Sequence, residues 1–562
     1  MALPSNIDFA VQATDGLPTL LISEASKSYP KPDGIKFTYG TAGVRTKGDV
    51  LESTCFRLAL ISALRSKRMG GKVVGMMVTA SHNPEPDNGL KAVDPRGEML
   101  ASNWEPYCTE AANALTDEEL FAVLQRLIKA DSINLQTPAV VVYAHDTRPS
   151  SPKLVKAIEA GLAATGAEGR NGGLLTTPQL HYLVKAYNTQ STPDPYGEPT
   201  EEGYYKKLAD AFQRAVADKP ATSPLTVDCA NGVGAISLQR FQKYLPASAL
   251  QVRALRTSID TAGALNNGCG ADHVKTKQAL PSGFEKEVSE GERLCSFDGD
   301  ADRIVYYYLN GHASQKESFR LLDGDRIAAL VADYISELVK RAGIADEIKI
   351  GCVQTAYANG GSTKYLSQRV PVVCTSTGVK HLHHAAESFD VGVYFEANGH
   401  GTVLFSDSAQ SLIRGKISSS SPQGDSQAAL SQLSNLIDLI NQTVGDALSD
   451  MLLVEVVLRQ RDWEPAHWDS LYTDLPNKLL KVIVPDRALF TTTDADRKLV
   501  TPDGLQQEID KLVGKYLEGR SFVRPSGTED CVRVYAEARI QQEMEELAHK
   551  VAKLVTDAAK NA

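Results

Sequence analysis

Four short apolar runs in this chain each end in a polar loop carrying glycine, proline or reactive side chains, and that recurrence is what most restricts the fold. Val73–Val78 gives way to Thr79–Pro84. Ala139–Tyr143 gives way to His145-Asp146-Thr147-Arg148-Pro149, followed by a helical period from Leu154 to Leu162. Leu225–Asp228 runs into Ala230-Asn231-Gly232-Val233-Gly234 and a helical segment near Ser237–Tyr244. Ile348–Val353 leads to Asn359-Gly360-Gly361, where Ser362 is the expected N-cap. Short apolar runs bounded by turn residues read as buried strands, and strands alternating with helices read as tandem α/β domains. After Ala447 the pattern changes: strand-like Leu479–Val484, Ser521–Val523 and Val532–Tyr535 precede an amphipathic Gln541–Ala559, the outline of a small α+β domain. The polar, proline-bearing Thr189–Glu202 reads as a linker and the serine run Ser418–Gly424 as a surface loop.

Composition narrows the function classes. With 42% hydrophobic and 23% charged residues, the 562-residue chain is neither disordered, collagenous nor a coiled-coil rod. Asp and Glu outnumber Lys and Arg, 69 to 59, and the net charge of −10 argues against broad binding to nucleic acid or an anionic membrane. A local basic pocket for a phosphorylated small molecule is compatible with it. Cysteines at 55, 108, 229, 269, 295, 352, 374 and 531 form no Cys-x-x-Cys pair, so neither a zinc framework nor a disulfide scaffold is indicated. Met1–Asp15 lacks a basic segment followed by an apolar one, and no run approaches the roughly 18–20 apolar residues of a membrane span. A cytoplasmic protein is expected. Asn441-Gln442-Thr443 matches a glycosylation triplet but falls in a helical stretch and reads as chance.

Four segments carry chemistry. Thr79-Ala80-Ser81-His82-Asn83-Pro84 places a serine on a loop at the carboxyl end of a strand, suited to a nucleophile or phosphate carrier, although Ser-His in a loop is by itself unremarkable. No Gly-x-Ser-x-Gly elbow surrounds it, which disfavours a hydrolase serine. In Asp298-Gly299-Asp300-Ala301-Asp302-Arg303 three carboxylates at alternate positions of an extended loop would share one side and suit Mg²⁺, against the alternative of a solvated acidic turn. Arg303 and Leu309 stand where an EF-hand needs Gly and Glu. A second acidic tripeptide, Asp323-Gly324-Asp325, reads as a helix start. Glu396-Ala397-Asn398-Gly399-His400-Gly401 joins two strand-like runs, either as a loop recognising a hydroxylated, amide-bearing ligand or as a plain hairpin turn; Thr377-Gly378-Val379-Lys380-His381 poses the same question. Arg524-Pro525-Ser526-Gly527-Thr528-Glu529-Asp530 offers a bidentate fork, hydroxyls and an accessible backbone for a phosphate, or simply a turn.

TASHNP, DGDADR, EANGHG and RPSGTED, in that order over some 450 residues, resemble the α-D-phosphohexomutase superfamily along essentially the whole chain. SHNPEPDNGLK, VDPRGEML, NNGCGADHVK, TGVKHLHH and EANGHGT are similar to its N-acetylglucosamine-phosphate branch, with Asn398 where the glucose and mannose branches typically have Ser. The resemblance implies four domains around a central cleft, three α/β with mixed sheets and a C-terminal α+β domain, divided here as 1–190, 191–308, 309–447 and 448–562. It implies a phosphoryl group on Ser81, with Asp298, Asp300 and Asp302 binding Mg²⁺ together with that phosphate, and Arg303 beside them. Glu396, Asn398 and His400, with Thr377 and Gly378, would recognise the sugar, and Arg524, Ser526, Gly527 and Thr528 would clamp the phosphate not in transfer. Arg45 and Lys91 match the basic residues near the phosphoserine; Lys91 and His400 are the candidates for general acid and base.

The implied activity interconverts N-acetylglucosamine 6-phosphate and 1-phosphate through a hexose 1,6-bisphosphate, on the route to UDP-N-acetylglucosamine. A phosphosugar is then the only partner expected, and the oligomeric state is not legible. The competing readings are a phosphoglucomutase or phosphomannomutase, a phosphatase, and a sugar-phosphate binder without catalysis.

Overall fold

The computed structural model describes residues 16–312, 315, 318–419, 424–526 and 530–561. They form two compact units: residues 16–80, 85–175 and 179–199 make the first, and residues 81–84, 176–178 and 200 onward make the second.

The first unit is built on a five-stranded mixed sheet in the order Val44–Lys47, Asp87–Val93, Val74–Val78, Val140–His145, Glu168–Leu174. Val74–Val78 runs parallel to Val140–His145 and antiparallel to Asp87–Val93, and all five of its residues are buried. Period-two alternation sends Val74, Met76 and Val78 into a core with Leu60 and Leu64 of helix Glu52–Arg68 and Ile158 and Leu162 of helix Ser151–Ala164. Those two helices approach closely at Gly161, where a Cβ would lie 2.5 Å from the Phe56 carbonyl oxygen. Residues 190–199 contain neither helix nor strand.

The second unit repeats the mixed-sheet plan twice. One sheet runs Phe319–Leu322, Ile304–Leu309, Leu294–Phe297, Leu225–Asp228, Val252–Leu255, and the other Val372–Thr375, Ile350–Thr355, Val391–Phe395, Gly401–Phe405. The four-stranded sheet's parallel neighbours are finished on one side by the antiparallel Gly401–Phe405; the five-stranded sheet's by Ile304–Leu309, antiparallel to Leu294–Phe297, and then Phe319–Leu322, antiparallel to Ile304–Leu309. A third sheet, Asn477–Ile483, Cys531–Glu537, Arg520–Pro525, is wholly antiparallel. Val523, Val532 and Val534 pack on Leu547, Val551 and Val555 of helix Gln541–Asn561, while Phe522 and Tyr535 stack on the opposite face against Ala356. Three mixed α/β sheets and one α+β layer are the architecture expected.

Several local expectations are corrected. The helix after Ile350–Thr355 spans Gly360–Ser367 and is capped by Asn359, whose side chain accepts the Gly361 N–H; Ser362 lies inside it, buried, accepting from Gln354 Nε2 at 3.0 Å. The helix expected near 237–244 begins earlier, at Val233–Phe241, because Gly232 breaks the chain into it. Helix Asp407–Ser419 reaches into the serine run, of which residues 420–423 lie outside the described residues. Asn441 sits in a buried turn between two helices, 3% exposed, its amide on Asp446 Oδ2 at 2.9 Å, and this buries the glycosylation triplet.

Asp323 and Asp325 do open a helix, Gly324–Arg341, with Asp323 accepting the N–H groups of Asp325 and Arg326 and Lys340 and Arg341 in the last turn. Asp323 also pairs with Lys275. Asp325 is buried behind it and accepts the Asn359 N–H at 2.9 Å. Burial, reinforced by Asp323, pushes the Asp325 carboxyl up to about 8. Between the ordinary carboxylate value and 8 the unfolded chain releases this proton while the folded chain keeps it, so this residue costs stability as pH rises through that window. Asp325→Asn should therefore gain in melting temperature relative to the wild type from pH 5 to pH 8, by at least about 2 °C. A constant difference across that range, read by calorimetry, would show that Asp325 does not titrate there.

Candidate active site

The second unit gathers Ser81, three aspartates, an arginine and a histidine that lie far apart in sequence. Leu294–Phe297 is fully buried, and the chain turns immediately after it. Asp298 Oδ1 accepts the N–H groups of Asp302 at 3.0 Å and Arg303 at 3.1 Å, and Ala301 takes a left-handed φ of 57°. The three carboxylates therefore converge by a tight turn closed on Asp298, not by the alternation of an extended loop. Asp298, Asp300 and Asp302 are at most 1% exposed. Each offers an oxygen, and these oxygens all lie within 4.8 Å of one another.

Ser81 faces this cluster. It is fully buried with a left-handed φ of 53°, and its Oγ donates to Asp298 Oδ2 at 2.6 Å and lies 3.5 Å from Asp302 Oδ1. Asn266 holds the serine loop from below, its Nδ2 donating to the carbonyls of Ser81 at 2.9 Å and Asn83 at 3.1 Å. Only a glycine fits at 299, where a Cβ would stand 2.6 Å from the Ser81 carbonyl and 2.8 Å from Asn266 Nδ2. Beneath them Asp228 accepts the N–H groups of Ala230 at 2.9 Å and Gly270 at 2.6 Å and the Ser296 hydroxyl at 2.8 Å, bracing the two loops that flank the triad. Thr177 supports Asp300, donating its hydroxyl to Oδ2 at 2.7 Å and its N–H to the carbonyl at 3.2 Å.

Electrostatics set the character of the cluster. Burial, then repulsion from Asp302 and Asp300, holds the Asp298 carboxyl well above its ordinary range, against the pull of Arg303 and the Ser81 hydroxyl. Burial opposes the charge on Arg303, yet Asp302 and Asp298, with Glu396 and Asp272, keep its guanidinium more basic than usual. Its Nε stands 3.9 Å from Asp298 Oδ2 and 3.8 Å from Asp302 Oδ1. Three crowded oxygen donors in the protein interior are unfavourable without added positive charge and match the hard-ligand preference of Mg²⁺.

The glycine-rich loop joins Val391–Phe395 to Gly401–Phe405 as an antiparallel hairpin. Asn398 donates to Glu396 Oε2 at 3.2 Å and accepts the His400 N–H at 3.0 Å, so its side chain shapes the loop. Glu396 Oε1 accepts the Gly378 N–H at 3.2 Å, which brings Thr377 and Gly378 alongside. His400 is buried, with Nδ1 3.2 Å from Asp302 Oδ1. A carboxylate only accepts, so Nδ1 carries the hydrogen and Nε2 is left as the basic atom, with no hydrogen-bond partner among the described residues. Arg524 is the penultimate residue of strand Arg520–Pro525, and the Ser526 N–H donates to the Cys531 carbonyl at 2.9 Å; Gly527 and Thr528 lie outside the described residues.

Arg45 and Lys91 belong to the first unit. Arg45 pairs with Gly89 on adjacent antiparallel strands, so Lys91, two residues on, projects to the same face of the sheet as Arg45. Asn266, Thr177 and Asp272 were not among the residues singled out from sequence. Thr177 follows a strand, Glu168–Leu174, whose polar, glycine-rich and largely exposed residues give no apolar run to mark it. Asn266 lies in the NNGCGADHVK segment, without a local cue to its role.

Family models match the chain in order between residues 59 and 554. Phosphoglucomutase/phosphomannomutase, alpha/beta/alpha domain I, matches residues 59–119 and 108–192; phosphoacetylglucosamine mutase AMG1, domains II and III, match 196–305 and 323–463; and the phosphoglucomutase/phosphomannomutase C-terminal domain matches 479–554. The fold and its four parts are those of a phosphohexomutase. A phosphoacetylglucosamine mutase from Sus scrofa is 50% identical over 538 residues, covering 94% of this chain and 96% of the relative. The structure of Aspergillus fumigatus N-acetylphosphoglucosamine mutase in complex with GlcNAc-6P and magnesium superposes with a TM-score of 0.91 at 50% identity, covering 97% of this chain and 100% of that one. A point variant of the same fungal enzyme in complex with glucose 1,6-bisphosphate gives 0.90 at 50% identity, with the same coverage. The chain belongs to the phosphoacetylglucosamine mutase family, and so is an isomerase of the phosphotransferase kind.

Gly399 is the position where the hairpin loop and the triad strand meet. Its φ is 85°, its carbonyl accepts the Ile304 N–H at 3.2 Å, and a Cβ there would lie 1.8 Å from the Ile304 carbonyl oxygen. Gly399→Ala should destabilise the protein by at least about 2 kcal/mol, from left-handed strain and the forced separation of the loops. A denaturant midpoint equal to that of the wild type would show that the loops part without cost.

Proposed function

We propose that this chain interconverts N-acetylglucosamine 6-phosphate and N-acetylglucosamine 1-phosphate through a phosphoserine at Ser81 and a 1,6-bisphosphate intermediate. The observation that carries the reading is the Ser81 hydroxyl, 2.6 Å from Asp298 in a buried carboxylate triad. The fungal relative's complexes with GlcNAc-6P and magnesium and with glucose 1,6-bisphosphate support the choice of substrate, metal and priming ligand.

Asp298, Asp300 and Asp302 are the residues that would hold Mg²⁺, which when bound neutralises phosphoryl charge and makes the phosphorus more electrophilic. Ser81 carries the phosphoryl group, about −1.5 to −2 charges at neutral pH, and Arg303 beside it offsets that charge. The O1 hydroxyl of the 6-phosphate attacks phosphorus in line, the bond to Ser81 Oγ breaks, and the O1 proton passes to a base, for which His400 Nε2 is oriented by Asp302. Lys91 and Arg45 are assigned as further basic groups serving the transfer. The bisphosphate then turns over, Ser81 Oγ gives its proton to a base and attacks the phosphorus of the 6-phosphate, the P–O6 bond breaks as O6 takes up a proton, and the 1-phosphate leaves a recharged enzyme. Glu396, Asn398, Thr377 and Gly378 would orient the sugar; Arg524, Ser526, Gly527 and Thr528 would hold the idle phosphate.

Among the described residues no helix is long and apolar enough to cross a membrane, and the eight cysteines form no disulfide. On the disulfide-free cysteines and the acidic balance we place the reaction in the cytoplasm, without nucleic-acid partners, ahead of the nucleotide activation that yields UDP-N-acetylglucosamine.

A phosphorus NMR time course tests the reading. With Mg²⁺, a trace of hexose 1,6-bisphosphate and equal N-acetylglucosamine 6-phosphate and glucose 6-phosphate, the N-acetylglucosamine 1-phosphate signal should grow first. Predominant glucose 1-phosphate would make it a phosphoglucomutase, and inorganic phosphate alone a phosphatase. Ser81→Ala should lower turnover at least about 1000-fold while sugar-phosphate binding remains measurable.

A further inference from the structure

The hairpin Thr491–Thr493/Lys498–Thr501 turns through Asp494, Ala495 and Asp496, three successive residues with left-handed φ of 54°, 57° and 67°. None is glycine, and such backbone costs about 1 kcal/mol or more at each position, so it persists only where surrounding contacts enforce it. The contacts converge on Asp496. Its Oδ1 accepts the Thr492 hydroxyl at 3.0 Å, which fixes the carboxylate plane. Its Oδ2 faces two partners from different sheets, the N–H of Thr377 at 3.2 Å and Nε of Arg524 at 3.3 Å.

Those partners are the two recognition elements of the site. Thr377 and Gly378 donate consecutive backbone N–H groups to two carboxylates, Asp496 and Glu396. The Arg524 guanidinium also lies beside the Tyr357 phenol, whose acidity is lowered by burial and partly restored by that positive charge. We propose that Asp496 is a positioning residue. It holds Arg524 through Nε, so that the terminal guanidinium nitrogens are presented to the phosphate, and it ties that arginine to the 377–378 loop, so that the phosphate clamp and the sugar loop set one another's place. This rests on the assignment of Arg524 to the phosphate in the proposed function.

A double-mutant cycle tests it, with kcat, KM for N-acetylglucosamine 6-phosphate and melting temperature measured on the wild type, Asp496→Asn, Arg524→Ala and the double variant. Asparagine keeps an oxygen for the Thr377 N–H and removes the charge that orients Arg524. Asp496→Asn should raise KM about tenfold, the scale of a lost charge-assisted hydrogen bond, with kcat changed by less than about twofold. In the Arg524→Ala background the same substitution should change KM by less than about twofold, because its route is gone. A KM equal to that of the wild type, or an equal tenfold rise in both backgrounds, would overturn the inference. If Arg524→Ala alone leaves KM unchanged, the phosphate assignment itself fails, and the inference with it. Should Asp496→Asn fail to fold, Thr492→Val loosens the same carboxylate: a rise in KM confined to the Arg524 background supports the role, and its absence overturns it.

Discussion

Three carboxylates buried together, two of them within hydrogen-bonding reach of one serine, are the constraint on which the rest of the site depends. Like charges packed in the protein interior are costly unless something binds or neutralises them. The chain meets that cost with backbone amides on Asp298, a threonine on Asp300, a histidine on Asp302 and an arginine facing two of the three. Each of those groups is in turn fixed by a loop that must approach closely, which is why glycines stand at 299 and 399, where any side chain would strike backbone. The surplus negative charge tunes the pocket for a cation and a phosphoryl group together. It also makes the pocket intolerant of losing its positive partners.

The groups reach this point by a repeated device. Ser81 follows strand Val74–Val78, Thr177 follows Glu168–Leu174, Asp298 follows Leu294–Phe297, Gly378 follows Val372–Thr375, and Asn398 follows Val391–Phe395. In sheets with parallel strands, loops at the carboxyl ends of the strands are where ligand groups collect. Building several such sheets in one chain brings many such loops to bear, which explains how Ser81 and Asp298 meet across 217 residues.

This device also decides what was legible in the sequence. Val74–Val78, Leu294–Phe297 and Val391–Phe395 are fully buried and largely apolar, so the loops bearing Ser81, the aspartates and Glu396 to His400 could be read, and the four parts of the fold with them. Asn266 and Asp496 could not, because the groups they tie down, the carbonyls of 81 and 83 for the first and the Thr377 N–H and Arg524 for the second, are distant in sequence, and their own neighbourhoods resemble ordinary turns. The alternation argument expected the three carboxylates together, and they do converge, but by another geometry: Ala301 adopts a left-handed conformation that its side chain gives no reason to expect. Ser362 failed as a cap because Asn359, three residues earlier, competes with a side chain better suited to the first turn.

The left-handed backbone at residue 81 discriminates between two amino acids with the same functional group. Serine tolerates a φ of 53° at modest cost, whereas the branched Cβ of threonine makes that conformation a genuine outlier. The geometry that aims the hydroxyl at the carboxylates thus narrows the choice of phosphate carrier to the unbranched alcohol. Codons for threonine lie a single base from several serine codons, so the backbone, rather than the genetic code or the reactivity of the hydroxyl, is what closes that route.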